Sequence, residues 1–339
     1  MPIDQLIFYV GVLFLMMLPG IVLKKCNLVT DGFGKGLSNL VLYIAQPALI
    51  VYAYLASESS FAEIRDNAIL VLLCSLAAHI LFAIVAQCFF HRDPVSKAGM
   101  LRFVTVFSNA AFMGIPLIQA ILGAEAAIYA SIYNVTFNLF LWTLGVHYCT
   151  DRREDLDRDG DTDVIDSLHN LKRQSKKERS LLKVLVHPVT LASVLGIVLL
   201  YYGVKLDTLN NLHLGVLAEG ISMLRDLVAP LSMVVIGLRL PEISWRGMHR
   251  DASMWRFLLL RHIALPLAVV LLCKLPAFFG FVIPDVVCTV VVIMAAAPAA
   301  TSATMFAEKY NRDAVYVSRL VAVSTLLCIL TMPLILLLL

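Results

Sequence analysis

The stretch SNAAFMGIPL, Ser108 to Leu117, lies inside an apolar run long enough to cross a bilayer, yet it holds an asparagine, a glycine and a proline. Pro116 has no N–H, and its ring crowds the carbonyl one turn back, which costs about 3 kcal/mol in a helix interior. Gly114 removes a further side-chain restraint, and Asn109 sets an amide donor and acceptor at the same depth. In hydrocarbon the freed backbone groups find no water, so an interruption persists only where it lines a cavity or is covered by protein. One half-helix ends there and another begins, and proline suits the first turn of the new one. The new start points N–H groups and about half a positive charge into the membrane. An anion belongs at such a place.

The stretch AAAPAATSATMF, Ala295 to Phe306, repeats the device. Small residues surround Pro298, and Thr301, Ser302 and Thr304 follow with hydroxyls able to donate to a carboxylate or to satisfy loose carbonyls. A proline kink packed by small residues would explain either stretch alone. Paired interruptions in corresponding spans favour a crossover with both fresh helix starts around one point. The candidate binding residues are therefore Asn109, Gly114, Pro116, Pro298, Thr301 and Ser302.

The rest of the chain fits a membrane setting. Of 339 residues, 60% are hydrophobic and only 15% charged, whereas soluble domains carry about 25% charge. Ten apolar runs recur, at 5–23, 35–54, 67–90, 100–122, 126–149, 186–203, 215–238, 255–279, 286–307 and 314–339, each close to the length that spans a bilayer. The expected fold is an all-α membrane protein of ten helices. The first run opens at Asp4 and Gln5 rather than on a basic segment, and no small-residue cleavage site follows it, so it reads as a retained helix with bounds good to a few residues. The cysteines lie in or beside apolar runs with no CxxC and no metal spacing, and read as packing thiols.

Lys and Arg gather in alternate loops: Lys24, Lys25 and Lys35; Arg92, Lys97 and Arg102; the polar stretch 150–182; Arg239, Arg246, Arg250 and Arg256; and Lys309 with Arg312. The positive-inside rule makes these loops cytoplasmic and both termini external, in a cytoplasmic (inner or plasma) membrane. That distribution also accounts for the net charge of +3 without nucleic acid.

Residues 150–182 divide the runs into two sets of five, 1–149 and 183–339, and the sets echo each other. Gly36-Leu37-Ser38 precedes Pro47 as Gly220-Ile221-Ser222 precedes Pro230, and Ala127-Ile128-Tyr129-Ala130-Ser131 resembles Ala314-Val315-Tyr316-Val317-Ser318. Because five is odd, the second set enters from the opposite side, giving inverted repeats.

Ser108-Asn109 with Met113-Gly114-Ile115-Pro116-Leu117, Pro298 with Phe306-Ala307-Glu308-Lys309-Tyr310-Asn311, Ile221-Ser222, Asp226, Gly237-Leu238, and Tyr43 with Pro47 resemble the auxin efflux carrier family, including bacterial members that export malate or malonate. The resemblance implies helices 1, 2, 6 and 7 as a scaffold, helices 3–5 and 8–10 as a moving transport domain, and a carboxylate held at the crossover, with Asn109 at the matching position. It also implies a homodimer through the scaffold. Plant members, whose substrate is auxin, carry a further proline at the position of Ala303 and often a longer central loop. That departure points to a small organic acid instead.

Other polar residues have two readings each. A charge at Asp226 is costly inside a span, and it is either a proton-coupling group or the structural partner of Arg225 or Arg261. His79 and His262 are proton-coupling candidates or hydrogen-bonded packing residues. Asn134 and Asn138 share a helix face and either meet the substrate or tie helices together. In DLDRDGDTDVID, Asp155, Asp157, Asp159, Asp161 and Asp166 follow the spacing of a calcium loop with Gly160 at its turn. Its last acid is Asp where Glu is usual, and the stretch is read instead as a solvated acidic linker followed by a basic membrane-facing stretch.

No cofactor is expected, and no nucleophile, base or metal set suggests an enzyme. The expected activity is secondary transport of a small organic anion by alternating access, with lipid and the anion as partners. The alternatives are a sodium-coupled importer of the bile-acid type and a non-transporting membrane sensor.

Overall fold

The computed structural model describes residues 3–30, 32–150, 186–242 and 250–339. The acidic stretch proposed for calcium, Asp155 to Asp166, lies outside them. Among the described residues, seven helices are long and apolar enough to cross a membrane. They include α1 (Phe8–Lys25), α2 (Phe33–Leu55) and α3 (Phe61–Phe89). After α4 (Val95–Val106) comes α5 (Ala110–Thr150). The shorter apolar α6 (Pro188–Tyr201) is followed by α7 (Gly215–Arg239) and α8 (Ala252–Phe279). Then come α9 (Asp285–Ala296), α10 (Ser302–Lys309) and α11 (Ala314–Leu336). Among the described residues there is no β-strand, only one isolated antiparallel bridge.

As a straight rod, the 41 residues of α5 would measure about 60 Å, roughly twice the hydrocarbon core. The rod is broken at Gly123, whose φ of 82° and ψ of −169° are not helical, a conformation that costs glycine little and other residues much.

Proline placement explains most of the remaining irregularity. Three π-helical turns, Val41–Ala45, Ala110–Gly114 and Leu260–Ala264, each end two residues before a proline, Pro47, Pro116 and Pro266. In each case the carbonyl that the proline ring would strike, four residues back, belongs to the widened turn. Letting the ladder slip to i→i−5 moves that carbonyl aside without ending the helix. A fourth π turn, Leu141–Gly145, has no proline behind it.

The helices pack in two groups, which also meet where α2, α6 and α1 touch α5 and α1 touches α11. In one, α2 lies against α6 and α7, and α1 against α7. The α1–α7 contact is backbone on backbone: a Cβ at Gly20 would lie 2.3 Å from the Val234 carbonyl oxygen, and one at Gly237 would lie 2.1 Å from that of Met17. Close approach at small residues is the usual source of helix association in lipid, where no hydrophobic drive exists. In the other group, α3 packs on α5, α8 and α9, while α11 packs on α9 and α10. Where α5 and α9 meet, Met113, Ile115, Val291, Met294 and Ala295 are fully buried.

Candidate functional site

The site is built by two chain interruptions that cross. The first helix stops at Val106, and Phe107 turns extended with φ −94° and ψ 116°. The second stops at Ala296, and Ala297 is extended with φ −57° and ψ 149°. The two extended pieces pair as the isolated bridge between Ser108 and Ala299. Asn109 N–H donates to the Pro298 carbonyl at 2.6 Å, and Ala300 N–H donates to the Phe107 carbonyl at 2.9 Å. Each break thereby supplies the hydrogen bonds that the other lost, which is how irregular backbone survives at membrane depth.

Beyond the bridge both chains become helical again, as α5 at Ala110 and α10 at Ser302. Neither start is capped by a side chain, although the Ala303 N–H in the first turn of α10 already donates to the Ala300 carbonyl at 3.1 Å. The Asn109 carbonyl takes the N–H groups of Met113 and Gly114 at 3.1 and 3.2 Å, closing the π turn.

A cavity of ≈ 180 Å³ opens beside the crossover. Asn109, Asn134, Asn138, Thr301 and Ser302, all expected from sequence, line it together with Ser108. Asn109, Asn134 and Asn138 are 2–3% exposed, and each leaves one buried amide atom without a partner. Gly114, Pro116 and Pro298 do not line the cavity. Gly114 instead lets α5 close on α9, since a Cβ there would come within 2.6 Å of Met294 Sδ. Pro116 sits inside a continuous helix, and the break falls upstream of it, at Phe107 to Asn109. Pro298 serves the crossover through its carbonyl.

The opposite wall comes from residues that sequence reasoning passed over: Asn39 and Gln46 of α2, and His187 just before α6. Gln46 is fully buried, its Nε2 donates to the Ala111 carbonyl, and its Oε1 has no partner. A buried amide next to Pro47 in an apolar run was the signal available for it. Tyr43, Phe112, Phe137, Trp142 and Phe306 complete the wall with apolar surface.

The proton-coupling candidates lie elsewhere. Asp226 pairs with Arg225 at 2.7 Å and keeps its side chain 64% exposed, and the Arg225 guanidinium stacks 3.9 Å over the Tyr52 ring. Of its suggested partners, Arg225 is therefore the one it holds. His79 donates from Nδ1 to the Ser75 carbonyl at 2.7 Å and stacks on Phe140. His262 is tied to the crossover. Ala299 N–H donates to Ser324 Oγ at 2.9 Å, and that hydroxyl lies 2.8 Å from His262 Nε2. Thr331 Oγ1 donates to the Leu327 carbonyl at 3.2 Å and so accepts from the imidazole, which leaves Nε2 to accept the serine proton. The imidazole proton then sits on Nδ1, facing Thr331 Oγ1 at 3.0 Å.

Arg261 is fully buried. Its Nη2 donates to the carbonyls of Ala295 and Ala297 at 3.0 and 2.6 Å, its Nε to Ala297 at 3.2 Å, and its Nη1 to Thr105 at 3.1 Å. Among the described residues no group of three or more His, Cys, Asp or Glu is arranged to hold a metal.

Apolar helices that outspan the bilayer, with a polar cavity at the crossing of two interrupted chains, define a multi-pass integral membrane protein of the transporter class. The chain matches the membrane transport protein family over residues 7–336 and belongs to it; this is the auxin efflux carrier family. It is also similar to an uncharacterized transporter of Methanocaldococcus jannaschii, 24% identical over 257 residues that cover 73% of this chain and 74% of the relative.

Proposed function

We propose that the protein is a secondary transporter that carries a small organic anion, a mono- or dicarboxylate such as malate or malonate, outward by alternating access. The observation that carries this reading is the cavity itself: three buried asparagines, of which Asn109 and Asn138 hold an unpartnered N–H group, and two helix starts without side-chain caps line one cavity. A carboxylate satisfies N–H donors of this kind with charge-assisted bonds. Asn109, Thr301, Ser302, Asn134 and Asn138 are its proposed contacts, with Gly114, Pro116 and Pro298 shaping the crossover.

The two packing groups support the division into a scaffold of α1, α2, α6 and α7 and a transport domain of the remaining helices. Ten spans follow if α5 is two passes joined at Gly123 and the interrupted α4–α5 and α9–α10 segments count as one each. The proposed repeats are 1–149 and 183–339, joined by a cytoplasmic linker at 150–182 with both termini outside. Exposed apolar residues of the scaffold, such as Phe8, Leu191 and Val216, would meet lipid or a second copy.

An inside-negative membrane potential favours outward movement of an uncompensated anion by about 2.3 kcal/mol per charge per 100 mV. Export then needs no coupling ion. The test is counterflow in proteoliposomes with labelled malate, malonate and indole acetate. Asn109→Ala is expected to reduce flux of the accepted anion about tenfold, the worth of one hydrogen bond to a charged group; full flux in that variant would remove the crossover as the binding site.

A sodium-coupled importer is the second reading, favoured by the unpartnered oxygens Gln46 Oε1 and Asn134 Oδ1, which are hard ligands suited to a cation. Uptake that rises with external sodium would select it. Binding without flux would instead indicate a sensor.

A further inference from the structure

Two helix starts at the crossover carry about half a positive charge each, but two helix ends arrive at the same point with about half a negative charge each. Taken alone, the four termini cancel, and the crossover would hold little net attraction for an anion. Arg261 changes that balance. Its guanidinium meets Thr105 in the last turn of α4, and Ala295 and Ala297 at the end of α9. These are the carbonyl ends of the two arriving helices.

We propose that Arg261 is the fixed counter-charge of the anion site: by neutralising both carbonyl ends from behind the bridge, it leaves the two helix starts facing the cavity with a net charge of about one positive unit. The inference rests on the transporter reading above and deepens it, because it names what makes the site anion-selective. Arg261 is a positioning residue. It does not line the cavity and touches no ligand.

Three observations support it. First, Arg261 is fully buried, and no carboxylate among the described residues forms an ion pair with it. A buried charge without a counter-ion is expensive, so its retention beside a polar cavity needs a compensating partner. Backbone carbonyls supply part of that compensation, and a bound anion supplies the rest. Secondly, the residue sits in the π turn Leu260–Ala264 that precedes Pro266. That turn aims two consecutive side chains at the crossover: Arg261 holds its carbonyl side, while His262 reaches the Ala299 amide through Ser324. Thirdly, among the described residues no Lys or Arg lines the cavity, so the attraction these residues offer a negative ligand comes from termini and from a charge placed behind them.

The test compares acids with their neutral amides as competitors of counterflow: indole acetate against indole acetamide, and malonate against malonamide. Wild-type protein is expected to favour the acid. In Arg261→Gln that preference should fall roughly 10- to 100-fold, the effect of a unit charge across one residue layer at the effective dielectric of a protein site, while the amide competes as before. Arg261→Lys keeps the charge but loses the planar fork, and is expected to retain the preference at lower thermal stability. A folded Arg261→Gln protein with the wild-type acid-to-amide ratio would overturn the proposal, and so would a folded Arg261→Lys protein that has lost it. If the glutamine variant does not fold, the lysine variant decides alone. Wild-type protein that binds no acid at all would instead fell the transporter reading, and this inference with it.

Discussion

Pro116 and Pro298 each fall within an apolar run, one in each half of the sequence, yet they do different things. Pro298 lies in the extended segment, where its carbonyl accepts the Asn109 amide. Pro116 lies inside a helix, eased by the π turn before it, and the nearest break is at Phe107 to Asn109. Proline next to a π turn therefore bends a helix without ending it, as Pro47 and Pro266 also show. A helix ends where a second chain stands ready to take its hydrogen bonds.

Four substitutions probe that contrast. The largest effect is expected from Gly114→Val, because added atoms would press on Met294 Sδ in a closed core; it should cost about 3 kcal/mol, seen as a lowered melting temperature in detergent and partly restored by Met294→Ala. Ser324→Ala comes next, since it strips the Ala299 amide of its acceptor and His262 of a partner. A loss of about 2 kcal/mol is expected for the stranded groups. Pro298→Ala should cost about 1 kcal/mol by loosening the unfolded chain, with reduced flux as the sharper readout. Pro116→Ala should be the mildest, below about 1 kcal/mol, since the π turn already absorbs the ring. Should Pro116→Ala impair flux as severely as Pro298→Ala, the two prolines are equivalent after all and the contrast fails.

Much of this was legible in the residues. Apolar runs and paired small-residue interruptions announced a crossover, and the polar side chains at 109, 134, 138, 301 and 302 do share a cavity. The position of the break was less legible, because it depends on a partner strand almost two hundred residues away. Gln46, Asn39 and His187 were missed for the same reason: single polar residues show their neighbours only after folding. Arg261 was read, beside Arg225, as a possible partner for Asp226 because a carboxylate inside a span calls for a cation. Helix-end carbonyls took that place, and Asp226 turned to Arg225 next to it. The expected roles of His79 and Asp226 found no contact with the cavity, while His262 reaches the crossover through a serine that periodicity gave no reason to notice.

The amide of Gln46 grips the Ala111 carbonyl from α2, and so joins the part of the molecule proposed to stay still to the part proposed to travel. Any displacement of the crossover past α2 must tear that link. The released amide lines the cavity and has to find a new companion there, and a passenger already seated is the nearest one. An empty carrier would thus hesitate where a loaded one proceeds.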